Sequence, residues 1–340
     1  MRTSIRRKVL AAVASVALGV TGATVVGTGP AAAADDTGPA IVAAANAFLA
    51  TLTTAQKADV LFDWSNTTQK TRWSNLPEGL YTRDGLMWGD LTTAQQTAWL
   101  ALMQVTLSTE GYNRVRAEWA ADDLLSGSGY GQEYYWVALI GSPSSSTPWQ
   151  WQWGGHHVTV NATVSGSELA LYPSFIGAQP ASYTSGSTTV KPLGDIWTDA
   201  YALLSSLTTA QKATAVAGST YIDLLYGPGE DDRAPLYEGI PGSSLTTAQK
   251  ALLFTLVSDY GDLANAEDGA ARLAELEATL DQTYFVWYGP TTNVGRSYFR
   301  VTGPRVIVEY SPQALGGAPA NHIHGIYRDP ENDYGALITG

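Results

Sequence analysis

The pentapeptide Leu-Thr-Thr-Ala-Gln occurs four times, at 52–56, 91–95, 207–211 and 245–249, and no other feature narrows the fold as far. A threonine followed three residues later by glutamine is a capping box. The hydroxyl accepts an amide of the first helical turn, and the glutamine reaches back to the cap. Thr53, Thr92, Thr208 and Thr246 are the predicted caps, each preceded by a leucine placed for a hydrophobic staple. The four motifs are read as helix starts and not as active-site residues.

Their spacing carries the larger message. The first two copies lie 39 residues apart and the last two 38. A further helical pattern follows each pair, over 111–125 and 264–280, and each half then turns to strand-like alternation. The stretch 133–141 parallels 282–289, 149–154 parallels 296–302, 157–161 parallels 305–309, and 168–172 parallels 322–327. The expected fold class is α+β: an internally duplicated unit, each half helices followed by an antiparallel β-meander, with the halves packed as a pseudo-two-fold pair. The expected halves are 35–192 and 193–340, with no flexible linker between them.

Residues 1–34 are set apart as a secretory signal peptide. Arg2, Arg6, Arg7 and Lys8 precede an apolar stretch from Val9 to Gly27, and Ala32-Ala33-Ala34 offers a small-residue cleavage site. Arg6-Arg7 followed by Val9-Leu10 also fits a twin-arginine export route. The expected location is secreted or extracytoplasmic. Loss of this segment removes four of nineteen basic residues and none of thirty-one acidic ones, leaving a net charge of −16. That balance argues against nucleic acid or an anionic membrane as partner. No later segment is apolar and long enough to span a bilayer. With no cysteine, disulfides, iron–sulfur, blue-copper and thiol chemistry are excluded, so any metal must take imidazole, carboxylate, carbonyl or water.

The chain has four histidines, at His156-His157 and in Asn321-His322-Ile323-His324. An H-x-H pair in an extended segment puts both imidazoles on one face. With a third histidine they make a common shell for Zn, Cu, Mn or Fe. In a strand, adjacent residues face opposite ways, so one of His156 and His157 is expected to ligate while the other packs. Glu309 is a candidate fourth ligand or general base. Arg328 and Asp329 are candidate catalytic residues, the arginine for an anionic substrate and the aspartate to orient an imidazole or act as base. A surface ion pair between them is the plainer alternative. Asn321 is a candidate substrate contact. Trp149, Trp151 and Trp153 alternate onto one face, either as a stacking platform for a carbohydrate or aromatic ligand or as a core layer under helices. Glu230, Asp231 and Asp232 read either as a calcium-like oxygen cluster or as a solvated turn.

The helix-start pentapeptides, Gly155-His156-His157, Phe175-Ile176-Gly177-Ala178-Gln179-Pro180, and Asn321-His322-Ile323-His324 followed by Tyr327-Arg328-Asp329 together resemble the bacterial domain-of-unknown-function 3500 family. The resemblance covers residues 40–335. It implies membership and brings neither a reaction nor catalytic residues.

These features lead to an exported metal-binding protein with a histidine site at the junction of two repeats. A divalent transition metal is the expected cofactor, with zinc placed first and copper, manganese or iron as alternatives. Metal-activated hydrolysis is favoured over oxidative chemistry on a small-molecule or carbohydrate ligand. The alternative is a non-catalytic extracellular module that binds metal or carbohydrate. The oligomeric state is left open.

Overall fold

The computed structural model describes residues 37–315 and 317–340; the expected signal peptide lies outside them. All four capping boxes form, each threonine hydroxyl accepting the glutamine amide and each glutamine returning to the cap. The glutamines also do something their local pattern does not predict. Gln95 Nε2 donates to Gln56 Oε1 at 3.0 Å and to the Thr51 carbonyl at 3.2 Å. Gln249 Nε2 does the same to Gln211 Oε1 and the Ser206 carbonyl, both at 2.9 Å. The two pentapeptides of each pair therefore bind one another and fix the start of one helix against that of another.

The helices that matter here are α1 (Thr37–Ala50), α2 (Thr54–Val60), α3 (Thr93–Thr106), α4 (Thr109–Asp122), α5 (Gly194–Ser206), α6 (Thr209–Ala215), α7 (Thr247–Gly261) and α8 (Ala266–Ala278). The main strands are β1 (Leu61–Phe62), β2 (Trp136–Ile140), β3 (Trp149–Gly154), β4 (Thr159–Ser165), β5 (Ser174–Ala178), β6 (Val216–Gly218), β7 (Tyr284–Tyr288), β8 (Tyr298–Gly303), β9 (Val306–Pro312) and β10 (Ile323–Arg328). They lie in one sheet in the order β1-β2-β3-β4-β5-β10-β9-β8-β7-β6, with three short strands attached, thirteen strands among the described residues. Pairing is antiparallel along this order except at its two ends, where β1 and β6 run parallel to β2 and β7. The fold is thus α+β on a mixed sheet. β5 and β10 pair along Ile323↔Ala178 to Tyr327↔Ser174, which makes the sheet continuous across the middle of the chain.

One strand correspondence expected from the sequence is replaced. The strand at 168–170 folds back onto β4 as a short hairpin, and it is β5 that lies beside β10. Gly166 turns that hairpin at φ +64°, a conformation glycine adopts without a steric cost.

The helices cover one face of the sheet. Trp99 of α3 meets Trp151 edge-on at 5.8 Å, Trp119 of α4 meets Trp153 at 5.0 Å, and Trp197 of α5 packs on Trp287 and Tyr310. Trp149, Trp151 and Trp153 are wholly buried in this layer. They are core, and no ligand could stack on them; the β3 alternation aims all three at the helices.

The other face is covered by irregular chain, and backbone without a ladder needs side-chain partners. In the first half these are amides. Gln152 donates to the Lys70 carbonyl at 2.8 Å and to Asn161 Oδ1 at 3.0 Å. In the second half they are charged. Glu309 accepts the Leu225 and Tyr226 amides at 2.9 and 2.8 Å, and Arg300 reaches Glu238 at 2.9 Å.

One buried group stands outside this scheme. Glu118 of α4 is fully buried, and neither carboxylate oxygen has a hydrogen-bond partner among the described residues. Burial pushes its pKa well above the ordinary carboxylate range, so folding takes up a proton there. A folded-state pKa above the unfolded one gives stability that is full at low pH and falls as pH rises past the unfolded value. Glu118→Met removes an unsatisfied polar group at similar length. It is expected to raise stability at neutral pH by about 1–3 kcal/mol and to flatten that fall, which urea melts at two pH values would measure.

Candidate metal centre

Strands β3 and β4 close through a four-residue turn in which the Gly155 amide donates to the Val158 carbonyl at 3.0 Å. His156 and His157 occupy the middle of this turn. They are not in a strand, and so the expected alternation fails: the two rings lie together, centroids 3.6 Å apart. Glycine makes the turn fit. A Cβ on Gly155 would meet Tyr135 ring carbons at 2.7–2.8 Å, and one on Gly177 of β5 would meet the His157 carbonyl at 3.0 Å. The turn thus lies over β5, next to β10.

His322, immediately before β10, and His324, within it, lie two residues apart in extended chain and share a face as the pattern requires. The turn and the strand bring three ring nitrogens together. His157 Nε2 lies 3.0 Å from His322 Nε2, which lies 2.9 Å from His324 Nε2. The second ring nitrogens face outward. His322 Nδ1 is 2.6 Å from the Leu315 carbonyl, and His324 Nδ1 is 3.4 Å from the side-chain amide of Asn75. His157 Nδ1 stands 3.5 Å from Asp122 Oδ1, in ion-pair but not hydrogen-bond range.

Protons follow from these partners. A carbonyl can only accept, so His322 carries its proton on Nδ1, and the Asp122 carboxylate favours the same tautomer of His157. Burial lowers the pKa of His157 to about 3, lowers that of His322, and takes that of His324 well below its usual value. The imidazoles are therefore neutral, and the Nε2 lone pairs of His157 and His322 point at each other. That arrangement is repulsive unless a cation lies among them. Two donors about 2.0–2.1 Å from one ion stand about 2.9 Å apart at a right angle and about 3.4 Å apart at the tetrahedral angle. The spacings here suit ligands at near right angles, and tetrahedral zinc asks for an opening of about 0.4 Å.

Asp122, the last residue of α4, is the group sequence reasoning missed. Burial alone would raise its pKa; the hydrogen bond from His156 Nδ1 at 2.7 Å and the nearby His157 ring outweigh that and hold it well below the usual range. The one available signal was its position, since a carboxylate at a helix C-terminus opposes the macrodipole and needs another reason to be there. His156 is held by Asp122 and by an edge contact with Tyr130 at 4.8 Å between centroids. With Asp122 and His157 it forms a second group of metal-capable donors that shares His157 with the triad.

The other expected site residues lie elsewhere in the hydrogen-bonding scheme. Glu309 is fully buried, with its oxygens taken by the Leu225 and Tyr226 amides and the Tyr298 hydroxyl, so it is neither ligand nor base. Asp329 is clamped by Arg272 at 2.7 Å and Arg305 at 2.9 Å. Arg328 does not pair with it; β10 alternation sends it to the other face, where it binds Asp333 and Asp231, each at 2.7 Å. Asp231 is thereby part of a closed ion-pair network and not an open oxygen cluster. Asn321 is exposed; its backbone carbonyl accepts from the Ala181 amide and its own amide donates to the Ala318 carbonyl. His324 is the partly exposed member of the triad, whereas His157 and His322 are buried. The clefts beside β2 and β3, between α4 and β5, and beside Tyr172 and Arg272 have no histidine in their lining.

A family model described as protein of unknown function (DUF3500) matches residues 34–336. No curated protein and no solved structure matches the chain. The chain belongs to the DUF3500 family.

Proposed function

We propose that this DUF3500 protein holds one divalent transition-metal ion on Nε2 of His157, His322 and His324. The observation that carries the reading is the inward convergence of three neutral ring nitrogens whose outer nitrogens face Asp122, the Leu315 carbonyl and Asn75. Asp122 and the Leu315 carbonyl draw the proton to Nδ1 of His157 and His322 and so direct their Nε2 lone pairs inward; Asn75, whose amide nitrogen faces His324 Nδ1, has to turn its oxygen there for His324 Nε2 to ligate. Three protein ligands leave coordination positions open, and the partial exposure of His324 supports solvent access on that side. An ion so held supplies Lewis acidity and a bound water of lowered pKa. The residues do the rest: Asp122 keeps His157 in register, and the turn at 155–158 ties the site to β5. Glu309 and Asp329 are committed elsewhere, so a metal-bound water is the nucleophile this reading relies on. Zinc is the first candidate; the near-right-angle spacing keeps manganese and iron in play. The carbohydrate-binding alternative loses its support with burial of the tryptophans, while metal sequestration without turnover stays as the second reading.

Elemental analysis of untagged protein purified without chelator tests this. Near-stoichiometric metal is expected. Protein that carries none and takes up no added Zn, Cu, Mn or Fe would sink the proposal. Asp122→Asn keeps the shape and weakens the orienting charge; a loss of about 10–100-fold in metal affinity is expected by competition with a chromophoric chelator.

The duplication supports a site built jointly by two halves. We read 35–192 and 193–340 as copies, supported by three parallels. The order of helices and strands repeats, Gln95–Gln56 matches Gln249–Gln211, and the register Gln152↔Asn161 matches Arg300↔Glu309. On this reading one copy supplies His157 and the other His322 and His324. Export through a signal peptide belongs to the same proposal as an expectation from the sequence, tested by N-terminal sequencing of the exported protein.

A further inference from the structure

The hydrogen-bond roles around the histidines form an ordered chain. The Leu315 carbonyl takes the Nδ1 proton of His322 at 2.6 Å, so His322 Nε2 can only accept. His324 Nε2 lies 2.9 Å from it and is the donor. That leaves His324 Nδ1 as an acceptor, and the side-chain amide nitrogen of Asn75 meets it at 3.4 Å. From Asn75 through His324 and His322 to Leu315, each donor has an acceptor. A cation asks for the opposite role at His324, because Nε2 has to offer it a lone pair and cannot do so while protonated.

We propose that Asn75 is a positioning residue that gates metal loading, by deciding which ring nitrogen of His324 carries the proton. The inference rests on the three-histidine reading given above. Of the outer partners, the Leu315 carbonyl and the Asp122 carboxylate can only accept. A primary amide carries a donor and an acceptor, and half a turn about its last side-chain bond exchanges them. With the nitrogen toward His324, Nε2 is protonated and closed to a metal. With the oxygen there, Nδ1 holds the proton and Nε2 is open. The proton passes from one ring nitrogen to the other through solvent, which reaches the partly exposed His324, and the ring stays neutral throughout. The Asn75 side chain is free to turn: it is half-buried, and its amide has no other hydrogen bond among the described residues. Its backbone is not free. Arg83 Nη2 holds the carbonyls on both sides, Ser74 at 2.8 Å and Leu76 at 2.6 Å, together with that of Gly155 at 3.0 Å. One guanidinium thus fixes the Asn75 segment against the turn that carries His157, and rotation of the amide is the motion left.

Long-range proton–nitrogen NMR on the full chain, with isotopically labelled histidine, reads the tautomer directly. After chelator treatment His324 is expected to carry its proton on Nε2, and added zinc is expected to move it to Nδ1. Asn75→Asp presents oxygen only. It is expected to hold the Nδ1 tautomer before zinc is added and to bind zinc at least about tenfold tighter than the wild type, by competition with a chromophoric chelator. Leu76→Asp brings the same charge to the exposed neighbouring position without the acceptor. Its zinc affinity is expected to stay within about threefold of the wild type. A proton on Nδ1 in the chelator-treated wild type, no gain in Asn75→Asp, or an equal gain in both variants overturns the gate and leaves the metal centre standing. A wild type that takes up no zinc overturns both. The wild-type spectrum needs no variant, so a misfolded Asn75→Asp would not shelter the proposal.

Discussion

His322→Ala together with His324→Ala is expected to take metal content from near one ion per chain to none, with the fold intact. The fold should survive because neither ring holds backbone other than through the Leu315 carbonyl, in a loop whose own side chain is 83% exposed. In chelator, the variant should melt no lower than the wild type. Alanine at 322 and 324 removes the lone pairs that crowd on one another, which offsets the packing lost with the two rings. The difference should appear only when metal is added: the wild type gains stability through binding to the folded state alone, and the variant does not. His156→Ala is the internal comparison. Its Nδ1 pairs with Asp122 and it is not one of the three proposed ligands, so the variant should keep its metal. Metal kept by the double variant and lost from His156→Ala would place the ion in the Asp122–His156–His157 group.

The second large effect is structural. Asp329→Ala is expected to cost about 3–5 kcal/mol of stability, as breaking a buried ion pair does, while leaving metal content unchanged. Asp329 is completely buried and receives Arg272 and Arg305. Arg272 is itself buried and cannot turn to water, although the Tyr327 hydroxyl and Glu275 still accept from it. Denaturant melts with elemental analysis on the same sample would separate the two roles. A metal-free but stable Asp329→Ala would return this residue to the site.

These two outcomes track what could be read from the sequence. Local patterns were legible: capping boxes, the meander strands, and the shared face of His322 and His324 follow from periodicities of 3.6 and 2. The histidine group was legible because histidine is rare in this chain and clustered. The failures have separate causes. Glu309, Arg328 and Asp329 are near the histidines in sequence, but strand alternation and distant partners decide where they go. Arg272 comes from α8 and the amides of Leu225 and Tyr226 from an irregular cover, and nothing local announces either. Asp122 was missed for the converse reason. It is 34 residues from His156 and becomes its partner only when α4 packs beside the turn. The His156–His157 expectation failed because two glycines convert a strand start into a turn.

The position of β10 has a consequence for how the molecule comes together. It is the last of the sheet's strands along the chain, yet it lies in the middle, between β5 and β9. Until it arrives, each half ends in an unpaired edge facing the other, a condition that invites wrong partners. The same strand delivers two of the three histidines. On the proposed function, an ion held by all three ligands would mark a molecule whose two edges are sealed, since a partly assembled one has only His157 to offer.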